Sequence, residues 1–116
     1  MQAMTPDSAL AQSRIGLGDI ILKDAQNADN SLATRYSCAF DALYLYALAI
    51  LGASKDLQSH PYLELLSEGA ARLGLSLQAI EPVLERMNQS YGPLEAPEEE
   101  VFALIELAQE ARQRLD

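Results

Sequence analysis

Apolar residues recur at helical spacing along most of the chain, and in one stretch they leave almost no polar face. That stretch is Ala42-Leu-Tyr-Leu-Tyr-Ala-Leu-Ala-Ile-Leu-Gly-Ala53, preceded by Arg35-Tyr36. A helix that is apolar around its circumference must be buried on all sides, inside a bundle or between two subunits. The run falls short of the about 20 residues that a membrane span requires, so it predicts a core helix. No segment alternates apolar and polar residues between turn signals, and Val and Ile are few. The pattern predicts an all-α protein.

Five helices follow from the punctuation. Thr5-Pro6-Asp7 can start the first, which should reach about Asn27 with Leu10, Ile15 or Leu17, Ile21 and Ala25 facing inward. Gly16 and Gly18 either break it or admit a closely approaching backbone. Asn27-Ala-Asp-Asn-Ser31 is a turn that also caps a second helix over about 31–53, with Gly52 and Ser54-Lys55 at its end. Ser59-His60-Pro61 opens the third, whose Leu63, Leu66, Ala70 and Leu73 share a face, and Gly74 suits its carboxyl cap. Ser76 begins the fourth, with Leu77, Ile80, Leu84, Met87 and Tyr91 in one stripe that Pro82 must either kink or start. Gly92-Pro93 through Pro97 is a turn. The last helix, about 97–115, sets Glu98, Glu99 and Glu100 at its positive end and Arg112 and Arg114 at its negative end. Its inner face is Val101, Leu104 or Ile105, Ala108, Ala111 and Leu115. Short loops between such helices predict an antiparallel up-and-down bundle of four to five helices. Residues 1–116 read as a single domain, with 1–4 as a loose tail.

The second helix is apolar over more of its surface than four small neighbours need. A homodimer with Tyr44, Ala47, Leu48 and Leu51 at the interface is therefore expected.

Charge narrows the choice of partners. The net charge is −9, of which residues 1–58 carry −2 and residues 59–116 carry −7. Such a surface repels phosphate backbones and anionic lipid, which argues against nonspecific nucleic-acid binding and membrane association. One cysteine, Cys38, cannot form an internal disulfide, and Met1-Gln-Ala-Met-Thr-Pro-Asp7 lacks the basic-then-apolar order of a secretory signal. A cytoplasmic location is expected.

Candidate chemistry is sparse. His60 is the sole histidine and sits beside Pro61 at a helix start, where an exposed loop residue is the simpler reading. With one His and one Cys far apart, no zinc site is expected. Glu98-Glu-Glu100 reads as first-turn acids complementing the helix dipole. Cys38, inside the apolar belt, reads as packing. Asp41 is the only charge between Arg35 and Lys55; if buried it needs a partner such as Ser37, Arg72 or Arg86. The tyrosines Tyr36, Tyr44, Tyr46, Tyr62 and Tyr91 read as core residues with outward hydroxyls, or as walls of a flat pocket. No cofactor is expected.

Two segments together resemble a known family. Asp24-Ala-Gln, continuing through Arg35-Tyr36-Ser-Cys-Ala39-Phe40-Asp-Ala42-Leu-Tyr-Leu-Tyr-Ala47, is similar to the second-helix signature of the HEPN superfamily, the higher eukaryote and prokaryote nucleotide-binding helical bundles. Leu84-Glu-Arg86-Met-Asn88-Gln-Ser-Tyr91-Gly92, followed by an acidic turn and Ala108, resembles the later segment of that fold. The likeness spans approximately residues 22–112. It implies a bundle that commonly dimerises, in some members alongside a separate enzyme such as a nucleotidyltransferase. Nuclease members use an Arg-x-x-x-x-His motif on RNA, arginine holding phosphate and histidine moving a proton. Here Arg86 fits the arginine, but the histidine position is Tyr91, and Asn88 is displaced from the arginine by Met87. The equivalent spacing from Arg35 ends on Phe40. An unperturbed tyrosine, with a pKa near 10, replaces poorly an imidazole that titrates near 6.5.

Three readings follow. The first is a noncatalytic HEPN-like module acting through dimerisation and binding of a partner or small, nucleotide-like ligand, with Arg35, Tyr36, Asp41, Arg86 and Tyr91 as its ligand-binding set. The second is a toxin-type ribonuclease with a degenerate motif at Arg86 and Tyr91. The third is an acidic bundle that docks a basic partner protein.

Overall fold

Serine caps and two glycines, Gly52 after the second helix and Gly74 after the third, set helix boundaries. The computed structural model describes residues 9–52, 62–89 and 92–115. Within them run α1 (Ala9–Gln26), α2 (Leu32–Leu51), α3 (Tyr62–Arg72), α4 (Leu77–Met87) and α5 (Glu98–Arg114), with a short 3-10 turn, Gly92–Glu95, before α5. The described residues contain no strand, and the fold is an all-α helical bundle. The Ser31 side chain accepts from the Thr34 amide at the start of α2, and Ser76 accepts from Gln78 at the start of α4. At the end of α3, Leu75 N–H donates to the Ala70 carbonyl and Gly74 N–H to that of Ala71, both at 3.0 Å. This is a Schellman cap, and it needs the positive φ of +79° that Gly74 supplies. The first-helix cap at Thr5-Pro6-Asp7 and the third-helix cap at Ser59-His60-Pro61 lie outside the described residues. Pro82 sits inside α4, which continues through it; its ring nitrogen has no amide hydrogen to give the Gln78 carbonyl.

Helix α2 is the axis, packed by α1, α3, α5 and the 3-10 turn. Arg14 against Leu48, Asp19 against Tyr46 and Arg35 against Ala25 set α1 antiparallel to α2. Arg35 over Phe102 at one end, and Tyr46 and Arg112 converging on Asp19 at the other, set α5 alongside α2 in the same sense. Buried residues cover most of the helix: Tyr36, Ala39, Phe40, Ala42, Leu43 and every position from Tyr46 to Leu51.

Two expected faces are turned. On α1 the buried stripe is Ala11, Ile15, Gly18, Leu22 and Ala25, whereas Leu10 and Leu17 point outward. The reason lies in Gly18: a Cβ there would meet the Tyr46 ring at 2.7 Å, so the fully buried tyrosine requires the small residues of α1 against it. The glycine neither breaks the helix nor admits a backbone; it admits a ring. On α4, Ile80 and Val83 are buried, Leu84 and Met87 half-buried, and Leu77 exposed. The inner face of α5 contains both Leu104 and Ile105, with Val101, Leu107, Ala108 and Ala111.

Candidate functional site

Three of the four expected interface residues are buried within the chain: Ala47 and Leu51 are fully covered and Leu48 is 8% exposed, whereas Tyr44 is half-buried, its ring stacked on Phe40. Most of the apolar circumference of α2 is thus covered by its own neighbours, with Tyr44 and Leu45 left half-buried. Asp41 lies at the surface, so the burial that would have demanded a partner does not arise, and partial desolvation raises its carboxyl above the ordinary range. Its proposed partners are engaged elsewhere, Arg72 with Glu68 and Arg86 with Glu100.

The ligand-binding set separates into three places. Arg35 is a stitch between helices. Its Nε donates to the Ala25 carbonyl near the end of α1 at 2.8 Å, and its guanidinium lies 5.1 Å from the centre of the Phe102 ring. Tyr91 lies outside the described residues, as does His60, and nothing of the Tyr62 side chain is described. Arg86 and Tyr36 come together at the junction of α2, α4 and α5.

Arg86 is held on three sides. Nε and Nη2 donate to Glu100 Oε1 and Oε2 at 2.8 and 3.0 Å, and Nη1 to the Gly92 carbonyl at 3.3 Å. The fork-to-fork pair with Glu100 raises the guanidinium further, so the arginine is always charged and always occupied. A phosphate would have to displace a carboxylate already in bidentate contact.

Beside this pair is a cleft of about 410 Å³ between α4 and α5. Its walls are Ala79, Pro82 and Val83 from α4 and Ala103, Leu104 and Leu107 from α5. Glu100, Glu106, Glu110 and Gln78 add polar groups, and Tyr36 of α2 reaches it. Glu110 is paired with Arg114 at 2.8 Å, and Glu100 with Arg86; Glu106 has no ion pair among the described residues. Tyr36 is 1% exposed and its hydroxyl makes no hydrogen bond among the described residues. Yet no fully buried side-chain polar atom among the described residues is left without a partner, so this hydroxyl keeps a small contact with solvent beside the cleft that Tyr36 lines. Burial first, and then the Glu100 carboxylate, push its pKa up to about 12, with Arg86 pulling the other way. Tyr36 therefore presents a neutral hydroxyl, able to donate and accept, at the foot of an apolar cleft.

The other titratable candidates have structural explanations. Burial above all, with Asp24 and Asp41 adding, raises the Cys38 thiol and keeps it protonated. Tyr46 donates to Asp19 Oδ1 at 2.6 Å, and Arg112 Nε donates to the same oxygen at 2.8 Å. That triad ties α1, α2 and α5 and leaves no donor for a ligand on the tyrosine. Among the described residues no three His, Cys, Asp or Glu side chains are placed to hold a metal ion, and no helix is long and apolar enough to cross a membrane.

Reasoning from sequence named Tyr36 and Arg86 but missed Glu100 as the arginine's partner and the cleft that Tyr36 serves. No protein-family model matches the chain, and neither a characterised protein nor a solved structure matches it.

Proposed function

We propose that the chain is a noncatalytic, HEPN-like helical binding module whose ligand seat is the cleft between α4 and α5. The observation that carries this reading is Tyr36, almost wholly buried, its hydroxyl without a protein partner among the described residues, lining that cleft. Water serves that hydroxyl in the free protein, and a ligand that reproduces the bond can keep it while burying its own apolar body. The remaining walls are apolar, as in small-molecule sites, and the volume falls in their range. A nucleotide-like ligand fits poorly, because Glu100, Glu106 and Glu110 oppose phosphate.

The bidentate contact with Glu100 weighs against a ribonuclease. Arg86 is the only candidate for phosphate in the degenerate motif, and it is committed to a carboxylate. The test has two arms. Purified protein incubated with labelled RNA should leave it intact, and a fragment screen read by nuclear magnetic resonance should gather its responses around Tyr36. Cleavage that disappears in Arg86→Ala would overturn the noncatalytic reading.

A second reading, docking of a basic partner protein, draws on the groove between α3 and α4. There Glu64, Glu81 and Glu85 surround Leu63 and Leu84 in a space of about 590 Å³. Such docking weakens steeply with added salt; recovery of a basic partner that ignores salt would remove its basis.

A further inference from the structure

We infer that the α4–α5 cleft takes a small organic cation, an ammonium carried on an apolar body of about one ring. The inference rests on the reading of this cleft as the ligand seat, and adds the ligand's charge and shape. Three observations converge on it. The walls, Pro82 and Val83 facing Leu104 and Leu107, offer no polar side chain to the middle of a bound molecule. An apolar body of about one ring loses water against both walls when it enters. The Tyr36 hydroxyl then meets the molecule's inner end.

Charge selects the outer end. Three carboxylates border the cleft, and no Lys or Arg side chain among the described residues lines it. Two of the three already have an arginine, which leaves Glu106 as a carboxylate without an ion pair among the described residues. It sits on the exposed side of α5, one position from Leu107. An ammonium leaving the apolar walls would meet that carboxylate at the mouth. An anion would meet net repulsion there, and a neutral molecule would gain nothing.

The test uses three probes of matched shape on the whole chain: phenethylammonium, 2-phenylethanol and phenylacetate. Binding is followed by chemical-shift changes at Tyr36, Val83, Leu104 and Leu107. The inference expects the ammonium to bind about threefold or more tighter than the alcohol, and the carboxylate weakest. Glu106→Gln, a change at an exposed position, should reduce the ammonium's preference to parity while leaving the alcohol's affinity as it was. Equal or tighter binding of the alcohol or the carboxylate at these residues would overturn the cation claim and leave the cleft as a ligand seat. No response at these residues from any probe would overturn both. A preference that survives Glu106→Gln unchanged would contradict the assignment of the cation to the cleft mouth.

Discussion

Ala47 of α2 and Gly69 of α3 cross so closely that nothing larger than hydrogen fits on Gly69. A Cβ built there would stand 2.7 Å from the Ala47 carbonyl oxygen and 2.8 Å from its Cα. These are backbone atoms of a buried helix and cannot turn aside. Gly69→Ala should therefore destabilise the fold by about 1–3 kcal/mol, seen as a lower urea midpoint. Gly16→Ala is its control. That position is exposed, inside α1, with nothing within 4 Å of the added carbon, and the change should stabilise by about 0.5–1 kcal/mol. Equal effects at the two sites would contradict the crossing.

Asp19, Tyr46 and Arg112 hold three helices at one point. Tyr46→Phe keeps the ring against Gly18 and removes only the hydroxyl, at a cost of about 1 kcal/mol. The same tyrosine also shapes the response to alkali. Tyr36 and Tyr46 are both harder to ionise in the fold than in the open chain, Tyr36 with a pKa of about 12 against 10. Below pH 10 both states are protonated and stability is unaffected. As pH rises from there, the unfolded chain loses its protons first, so stability falls. Denaturant midpoints measured between pH 9 and about 12 should fall more steeply for the wild type than for the Tyr36→Phe, Tyr46→Phe double variant.

Leu48→Glu places a charge where the side chain is 8% exposed, among buried residues of the same chain. Loss of apolar packing and desolvation of the carboxylate together should cost about 3 kcal/mol or more. Circular dichroism and sedimentation should show loss of helix and not a folded monomer. A folded, smaller species would instead place Leu48 at a contact between copies.

Arg86 and Glu100 can be tested as a pair. In a double-mutant cycle of Arg86→Met and Glu100→Gln, the coupling should be about 1–2 kcal/mol, since Arg86 is mostly buried and Glu100 only partly exposed. Zero coupling would free the arginine for another role and weaken the noncatalytic reading.

How much of this was legible depends on what each residue does. Ser31, Ser76 and Gly74 act through their own backbone neighbourhood, so their capping roles can be read locally. The all-α class and the burial of most of residues 42–51 follow from hydropathy alone. The register of α1 does not. Hydropathy favours Leu10 and Leu17 as inward residues, but close packing on Tyr46 selects Ala11 and Gly18. Glu100 was hidden for a similar reason: three consecutive acids at a helix start have a sufficient explanation in the helix dipole. Only the fold brings one of them to an arginine 14 positions away. The cleft itself is a property of how α4 lies on α5, and Tyr36 becomes a site residue only because α2 carries it there.

The most direct test of the account is a fragment screen by chemical-shift mapping, run on the wild type and on Ala79→Phe. Ala79 is exposed and lines the cleft, so the larger ring fills the space without disturbing the core. The account predicts wild-type responses centred on Tyr36, Val83, Leu104 and Leu107, and their loss in the filled variant. Responses that persist with the cleft filled, or that fall elsewhere on the surface in the wild type, would contradict it.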